Sequence, residues 1–267
     1  MKNASKETAF PSIVDRFGYS PIGPAIWRKD TASQLQMRSL SLDQASQYKL
    51  VSRHLKAAGV STQTQALGDA KSTFAFLFVL SGQVVMHETG KQARTFNGYG
   101  SACRFGQGQT VNWSLSHDAE VIEIVATSAG SADLGMSQPA QGAWHVCDDH
   151  ESDYVMGEGP RKFFKYRDLG VAAATNRRIH IHVVRATQAV NGGTGWHSHS
   201  MGQLFYVLRG WADLAVQNQP WVRMHSGDAM CISPRMSHNV PGFTDDYLVL
   251  EMCIPADYDT VDASAED

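Results

Sequence analysis

Residues 195–210, GWHSHSMGQLFYVLRG, contain the most informative pattern in this chain. Side chains alternate between the two faces of an extended strand, so His197 and His199 project to the same side. After the SMG break a second strand begins at Gln203, whose side chain shares a face with Phe205. The pattern therefore directs two imidazoles and one amide oxygen toward a common place.

A third imidazole follows in the segment GDAMCISPRMSHN, residues 227–239. His238 comes after a turn at Pro234, on what we expect to be a facing strand of a closed sheet. Three neutral imidazoles and one oxygen donor suit Fe, Mn, Ni, Co, Cu or Zn better than Mg or Ca, which prefer all-oxygen ligands. The sequence thus predicts one divalent transition metal on His197, His199, His238 and Gln203. Gln203 has an alternative role, as an amide that orients a bound water.

The rest of the chain is rich in short β-type runs such as VIEIVATS, IHIHVVRA and YLVLEMCIP, and no stretch predicts a long helix. The runs also repeat. FAFLFVLSGQVVM at residues 74–86 matches QLFYVLRGWADLA at residues 203–215, with Gly82 and Gly210 in register. A mostly β protein with two copies of one module is the interpretation that we adopt.

These motifs resemble those of the cupin superfamily. The first cupin motif has HxH, then an acidic residue or Gln, and then a closing glycine, here Gly210. The second motif has a proline and a histidine, which Pro234 and His238 match. Met236 replaces a motif glycine, the preceding spacer is one residue longer, and Gln203 stands where the family has Glu. The resemblance implies two cupin barrels in tandem, each a double-stranded β-helix or jelly roll.

The predicted division follows from the repeat and from a polar, glycine-rich stretch between its copies. Aligned on the repeated glycines, the ligand positions of the first copy become Asp69, Lys71, Ala75 and Val111, so we expect no metal there. The segments are an N-terminal extension (1–40), a degenerate barrel without a metal site (41–130), a linker (131–175), a metal-binding barrel (176–257) and an acidic tail (258–267).

Three further residues are pocket candidates. His180 and His182 alternate on the strand IHIHVVRA, and we expect one of them to contact substrate or to support the metal ligands. The alternative is a pair that faces solvent. Phe205 shares the inward face of Gln203 and could flank a substrate ring, although ordinary core packing explains it equally well.

The resemblance implies a non-haem metal-dependent dioxygenase, with Fe as the first expected metal and a small aromatic, diketone or thiol substrate. The Gln203 substitution leaves a divalent site with a charge of about +2 instead of about +1, which makes the metal a stronger Lewis acid. The alternative is therefore a non-redox isomerase, lyase or hydrolase on a small oxyanionic molecule, with Tyr206, His182 or His180 as its base. A non-catalytic metal- or ligand-binding module is the third hypothesis.

Composition limits the partners of the chain. Its 267 residues include 23 Lys and Arg against 26 Asp and Glu, and this net charge of -3 provides no basic surface for nucleic acid. No apolar run is long enough to span a membrane, and no secretory signal begins the sequence, so we expect a cytoplasmic protein with reduced cysteines. The resemblance also implies a homodimer.

Overall fold

The structure is a computed structural model, and strands dominate it. It describes residues 12–30, 33, 35–57, 63–66, 72–106, 111–135, 144–158 and 162–263. Within these residues the helices are short: α1 (Leu42–Ala45), α2 (Ser128–Asp133) and α3 (Val171–Ala174), besides one 3₁₀ turn at Glu151–Asp153. The predicted mostly β class is therefore confirmed.

The strands fall into two series along the chain. The first series comprises β1 (Gly18–Ser20), β2 (Arg28–Lys29), β3 (Gln36–Ser39), β4 (Leu50–Lys56), β5 (Gln63–Ala66), β6 (Phe74–Ser81), β7 (Val84–His87), β8 (Arg94–Phe96), β9 (Ser101–Phe105), β10 (Asn112–Leu115) and β11 (Glu120–Ala126). The second comprises β12 (Trp144–Cys147), β13 (Val155–Met156), β14 (Phe164–Asp168), β15 (His180–Ala186), β16 (Val190–Asn191), β17 (His197–His199), β18 (Gly202–Arg209), β19 (Trp211–Val216), β20 (Val222–His225), β21 (Ala229–Ile232), β22 (His238–Phe243), β23 (Leu248–Ile254) and β24 (Thr260–Asp262).

Two barrels result, each made of one larger and one smaller antiparallel sheet. Barrel 1 combines the sheet β12-β9-β6-β11-β4-β3-β2 with the sheet β5-β10-β7-β8. Barrel 2 combines β1-β21-β18-β23-β15-β14-β13 with β20-β19-β22-β17-β24, and β16 pairs with β22. The two larger sheets have the same strand order position by position, as the sequence repeat predicts, and the tandem jelly-roll arrangement is confirmed.

The two barrels exchange edge strands. β1, which precedes barrel 1 in sequence, pairs with β21 of barrel 2, whereas β12, which precedes barrel 2, pairs with β9 of barrel 1. The segments that we expected to form an extension (1–40) and a linker (131–175) therefore contribute strands to both larger sheets. Backbone pairing with distant edges, which leaves little periodic signal in a short strand, accounts for the difference. The domain boundaries themselves stay a prediction.

The repeated glycines are required by the backbone. Gly82 and Gly210 link β6 to β7 and β18 to β19 with φ of 68° and 70°, in the left-handed region that favours glycine. Space is also lacking, because a Cβ on Gly210 would lie 2.2 Å from the Thr244 hydroxyl oxygen, and one on Gly82 would lie 2.7 Å from the Ala119 Cα. The same tight turn therefore explains why both copies carry glycine at this position.

The hydrophobic core joins the two barrels. One cluster of buried side chains includes Phe76 and Ile124 from barrel 1 together with Ile181 and Leu250 from barrel 2, and each barrel also has its own interior cluster. In the larger sheets, one strand face thus packs on the partner barrel while the other lines the barrel interior. In the described part of the chain, no helix is long and apolar enough to cross a membrane.

Candidate metal centre

The structure brings the three predicted histidines together inside barrel 2. His197 and His199 lie on β17, and His238 begins the neighbouring strand β22, directly opposite His197 in the antiparallel register. Their ring centroids are 4.4 to 5.2 Å apart, and one potential ligand atom from each lies within 4.8 Å of the others. All three residues are buried. This spacing is suitable for binding a single ion.

Each imidazole is oriented by a hydrogen bond at Nδ1. The partners are the carbonyl oxygen of Gly195 for His197 (2.8 Å), that of Met236 for His238 (3.0 Å) and the hydroxyl of Thr260 for His199 (2.8 Å). A carbonyl oxygen can only accept, so Nδ1 of His197 and of His238 carries a proton, and in the neutral ring Nε2 is then the nitrogen with a lone pair. Metal-ligating histidines are usually oriented in this way.

Thr260 belongs to a segment that we expected to form only an acidic tail (258–267). Its strand, β24, pairs with β17, and Thr260 lies opposite His199 in the register. The sequence TVD is too short and too polar to predict a strand by alternation, so this support for His199 was not predictable.

Gln203 supplies the fourth donor of the predicted set. It lies on β18 with 2% of its surface exposed, and its Nε2 donates to Oε1 of Glu251 over 2.9 Å. Its Oε1 is buried and has no hydrogen-bond partner in the described part of the chain. A buried amide oxygen without a partner costs about 1–3 kcal/mol, and a bound cation would remove that cost. The residues present therefore fit a divalent transition metal held by three imidazoles and one amide oxygen.

Glu251 is the site residue that the sequence analysis missed. It lies on β23, where Phe205 of β18 and His182 of β15 are its neighbours in the register. Its side chain is 13% exposed, and Oε2 accepts from Nε2 of His182 over 2.7 Å. Burial raises the pKa of Glu251, but the hydrogen bond from His182 and the charges of the imidazoles around it lower the pKa to about 2. The available signal was one carboxylate in the apolar run LVLEMC.

The two histidines of β15 extend this hydrogen-bond chain away from the centre. His180 Nε2 lies 2.8 Å from His182 Nδ1, and His180 Nδ1 lies 3.8 Å from a carboxylate oxygen of Asp168. Burial, and then the charge of His182, lower the pKa of His180 to about 4. Neither histidine joins the cluster of three, so both stay pocket candidates.

Two cavities meet at the centre. The first, of about 70 Å³, contains the four predicted donors and Glu251, and its other lining residues are Phe164, Tyr166, Val184, Thr194, Phe205, Val240, Tyr247 and Val249. The second, of about 520 Å³, is lined by His180, His182, Asp153, Val155, Asp168 and Tyr258, and it shares Tyr166, His199 and Glu251 with the first. Phe205 thus lines the inner cavity, with its ring 6.5 Å from that of His238.

Tyr206, one candidate base, lies on the opposite face of β18 from Gln203. Its side chain is buried, and its hydroxyl is 3.1 Å from Nδ1 of His54 in barrel 1. Burial raises the pKa of the Tyr206 hydroxyl above its ordinary value of 10. Tyr206 therefore belongs to the core between the barrels and does not line either cavity at the centre.

Barrel 1 has apolar residues at the described ligand positions. Ala75 and Val111 occupy the places of Gln203 and His238, and both are completely buried, whereas Asp69 and Lys71 lie outside the described residues. Among the described residues, every cluster of three or more potential metal ligands is in barrel 2: His197 with His199 and His238, and His182 with Glu251 and Cys253.

A family model described as Cupin domain matches residues 184–254, from β15 to the end of β23. This segment carries the four predicted donors, and barrel 1 repeats its strand order. Residues 184–254 thus form a cupin domain, and the chain as a whole has the fold of two cupin barrels in tandem, a bicupin fold. None of the curated proteins matches the sequence of this bicupin.

Solved structures similar to the bicupin cover almost its whole length. Protein Ylba from E. coli, of family DUF861, has a TM-score of 0.66 at 12% identity, covering 94% of this chain and 96% of that one. The putative glyoxylate induced protein from Pseudomonas aeruginosa has a TM-score of 0.63 at 15% identity, covering 99% and 95%. Oxalate decarboxylase from Lactobacillus farciminis, as a formate complex, has a TM-score of 0.61 at 12% identity, covering 94% and 91%. Identities this low support the fold alone.

Proposed function

We propose that this bicupin is a metal-dependent enzyme that acts on a small oxyanionic molecule in barrel 2. One observation carries the proposal: three clustered imidazoles and Gln203, whose buried oxygen has no hydrogen-bond partner among the described residues, line one cavity, and no carboxylate is among these four donors. When bound there, a divalent metal would supply Lewis-acid activation of a substrate oxygen. His197, His199, His238 and Gln203 would hold it.

The charge of the donor set supports an anionic substrate. Four neutral donors leave the charge of a divalent ion near +2, and a negatively charged oxygen is the ligand that such a centre favours. The carboxylate of Glu251, which lines the same cavity, already accepts hydrogen bonds from Gln203 and His182, so both of its oxygens have partners within the protein. A carboxylate or enolate oxygen of the substrate would therefore be a favoured further ligand of the bound ion.

The inner cavity supports a compact substrate. Its volume of about 70 Å³ leaves room for only a few heavy atoms. Phe205, Val184 and Val249 line it beside the polar donors, and these apolar side chains exclude water around the reacting group. Among the similar folds, the oxalate decarboxylase from Lactobacillus farciminis is a complex with formate. We therefore choose small carboxylates as the first compounds to test.

The first experiment measures metal content and ligand binding together. Untagged protein is reconstituted with Mn, Fe, Co, Ni, Cu or Zn, and calorimetry then follows the binding of formate, oxalate and glyoxylate. We expect binding only to the metal-loaded protein, and turnover of at least one member of a wider panel of small carboxylates. The same affinity in the metal-free protein would contradict the proposed role of the metal, and binding without any turnover would favour the non-catalytic module.

Oxygen chemistry, the first expectation from the resemblance, is the second candidate. The observation that favours it is the apolar and aromatic lining of the inner cavity, including Phe164 and Phe205, which suits an uncharged aromatic, diketone or thiol substrate. The Fe(II)-loaded protein should then consume O₂ in the presence of one of these substrates. An oxygen electrode separates the two candidates, because the Lewis-acid reaction needs no O₂.

Location and assembly remain expectations of the sequence. The four cysteines, Cys103, Cys147, Cys231 and Cys253, are free thiols, which supports a reducing compartment such as the cytoplasm. A homodimer rests on the cupin resemblance alone, and light scattering of the purified protein tests it.

A further inference from the structure

We propose that Glu251 is the positioning residue of the metal centre. It holds the Gln203 side chain so that the amide oxygen, and not the nitrogen, is presented to the three imidazoles. This inference rests on the proposed metal binding at His197, His199 and His238.

The sheet places Glu251 between the residues that it connects. β23 lies between β18 and β15, and Glu251 is in register with Phe205 on one side and with His182 on the other. Its two carboxylate oxygens have different partners, since Oε1 accepts from Gln203 over 2.9 Å and Oε2 accepts from His182 over 2.7 Å. The Glu251 carboxylate thus joins Gln203 of β18 to His182 of β15.

A carboxylate beside Gln203 fixes which end of the amide faces the centre. The amide has an oxygen that only accepts and a nitrogen that donates, and the two ends can exchange by rotation about the last side-chain bond. An ionised carboxylate only accepts, so it selects the nitrogen and turns the oxygen away. That oxygen is buried and has no hydrogen-bond partner among the described residues.

The histidines at the other end of this series of hydrogen bonds keep Glu251 in place. His182 donates from Nε2 to Glu251, which leaves its Nδ1 to accept from Nε2 of His180, 2.8 Å away. Rotation of the carboxylate would therefore break a hydrogen bond on each side. Residues that orient metal ligands in this way typically change metal affinity about 10–100-fold when they are replaced.

Barrel 1 offers a matched control at the same point of its sheet. Glu123 of β11 lies opposite Arg53 of β4, as Glu251 of β23 lies opposite His182 of β15. Glu123 is also buried, but it forms an ion pair with Arg53, and the place of Gln203 is taken by Ala75. Glu123→Gln therefore removes an equivalent carboxylate where there is no amide to orient.

The test compares Glu251→Gln with Glu123→Gln. Metal affinity is measured by competition with a chelator, and the absorption spectrum of the Co(II)-loaded protein reports the donor atoms. In Glu251→Gln an amide faces an amide, so either end of Gln203 can turn to the centre. We expect an affinity about 10–100-fold lower and a shifted Co(II) spectrum, whereas Glu123→Gln matches the wild type in both.

A reciprocal exchange gives the second arm. Gln203→Glu alone places two carboxylates side by side with no donor between them, so the orienting hydrogen bond is lost and the Co(II) spectrum should shift. Gln203→Glu combined with Glu251→Gln restores one amide and one carboxylate, with the hydrogen bond reversed. We expect the double variant to recover affinity to within about tenfold of the wild type, with the spectrum of a carboxylate ligand.

Three results would overturn the inference: an unchanged Co(II) spectrum and affinity in Glu251→Gln, the same loss in Glu123→Gln, or no recovery in the double variant. A second metal equivalent that Glu251→Gln removes would also overturn it, because Glu251 would then be a ligand with His182 and Cys253. Wild-type protein that binds no metal contradicts the proposed function instead, so the two failures are distinguishable.

Discussion

Barrel 1 and barrel 2 place a buried glutamate at the same point of the same kind of sheet, but they use it differently. In barrel 1, Glu123 pairs with Arg53 and the surrounding ligand positions that the structure describes are apolar. In barrel 2, Glu251 contacts His182 and Gln203, and the Gln203 residue, whose amide oxygen has no partner among the described residues, shares a cavity with three imidazoles. The same strand framework therefore supports either a self-contained ion pair or a candidate metal centre.

The two barrels share their strand order, so the candidate metal centre differs from its counterpart in a few side chains and not in the arrangement of strands. Val111 and Ala75 fill the places of His238 and Gln203 with apolar volume, which satisfies packing and leaves no donor. Arg53 in the place of His182 provides the charge that a buried carboxylate requires. Replacing residues of one barrel by their counterparts in the other therefore tests directly which side chains distinguish the two barrels.

The largest effect is expected for His238→Val, which gives barrel 2 the side chain of barrel 1. Loss of one of three imidazole ligands should lower metal affinity by more than about a hundredfold, beyond the range for residues that only orient a ligand. Metal analysis after dialysis measures it. His87→Ala, at an exposed histidine of barrel 1, is the control and should keep the metal. Full metal content in His238→Val would show that the ion is bound elsewhere.

The next effect concerns barrel 1 alone. Arg53→Met removes the partner of the buried Glu123. We expect the free energy of unfolding to fall by about 2–3 kcal/mol. This is a small loss for a broken buried ion pair, because 36% of the Arg53 side chain is exposed. Urea denaturation measures this loss. Metal content should stay at the wild-type value, and a parallel loss of metal would mean that the metal centre of barrel 2 depends on the stability of barrel 1.

The same variant should be sensitive to pH in a defined direction. Burial raises the pKa of Glu123 above its ordinary value of 4.5, and the charge and hydrogen bond of Arg53 oppose that rise. Without Arg53 the pKa of Glu123 in the folded protein rises further, so the folded state binds more protons than the unfolded state above pH 4.5. Stability then falls as pH rises through that window. The deficit of Arg53→Met should therefore be smaller at pH 5 than at pH 7.

The smallest effect tests the exchanged edge strand. Asp228 of barrel 2 accepts from the backbone N–H of Ile22 over 2.7 Å and from the hydroxyl of Tyr19 over 3.3 Å, and so anchors β1 to its edge. Asp228→Ala should lower the free energy of unfolding by about 1–2 kcal/mol. Asp213→Ala, which breaks the exposed ion pair with Arg223, should cost less than about 0.5 kcal/mol. Equal losses would indicate that β1 contributes no stability.

The fold and the three histidines were predictable because the motifs that indicate them each span only a few residues. HxH alternation, Gly210 and the Pro234–His238 turn each specify their own geometry over a few residues. Glu251 was not predictable, because its role depends on which strands flank β23, and those partners are distant in sequence. The same reason applies to β1 and β24, whose short polar segments are held by their neighbours and not by their own periodicity.

The most direct test of the account is the metal stoichiometry of untagged wild-type protein, measured by elemental analysis after reconstitution and removal of free ions. One equivalent per chain is the predicted result, since the described residues bring three imidazoles together at one place, in barrel 2. Protein that retains no metal after reconstitution with Mn, Fe, Co, Ni, Cu or Zn would contradict the central claim. Two equivalents would contradict a single centre, and loss of the second ion in Glu251→Gln would assign it to the cluster of His182, Glu251 and Cys253.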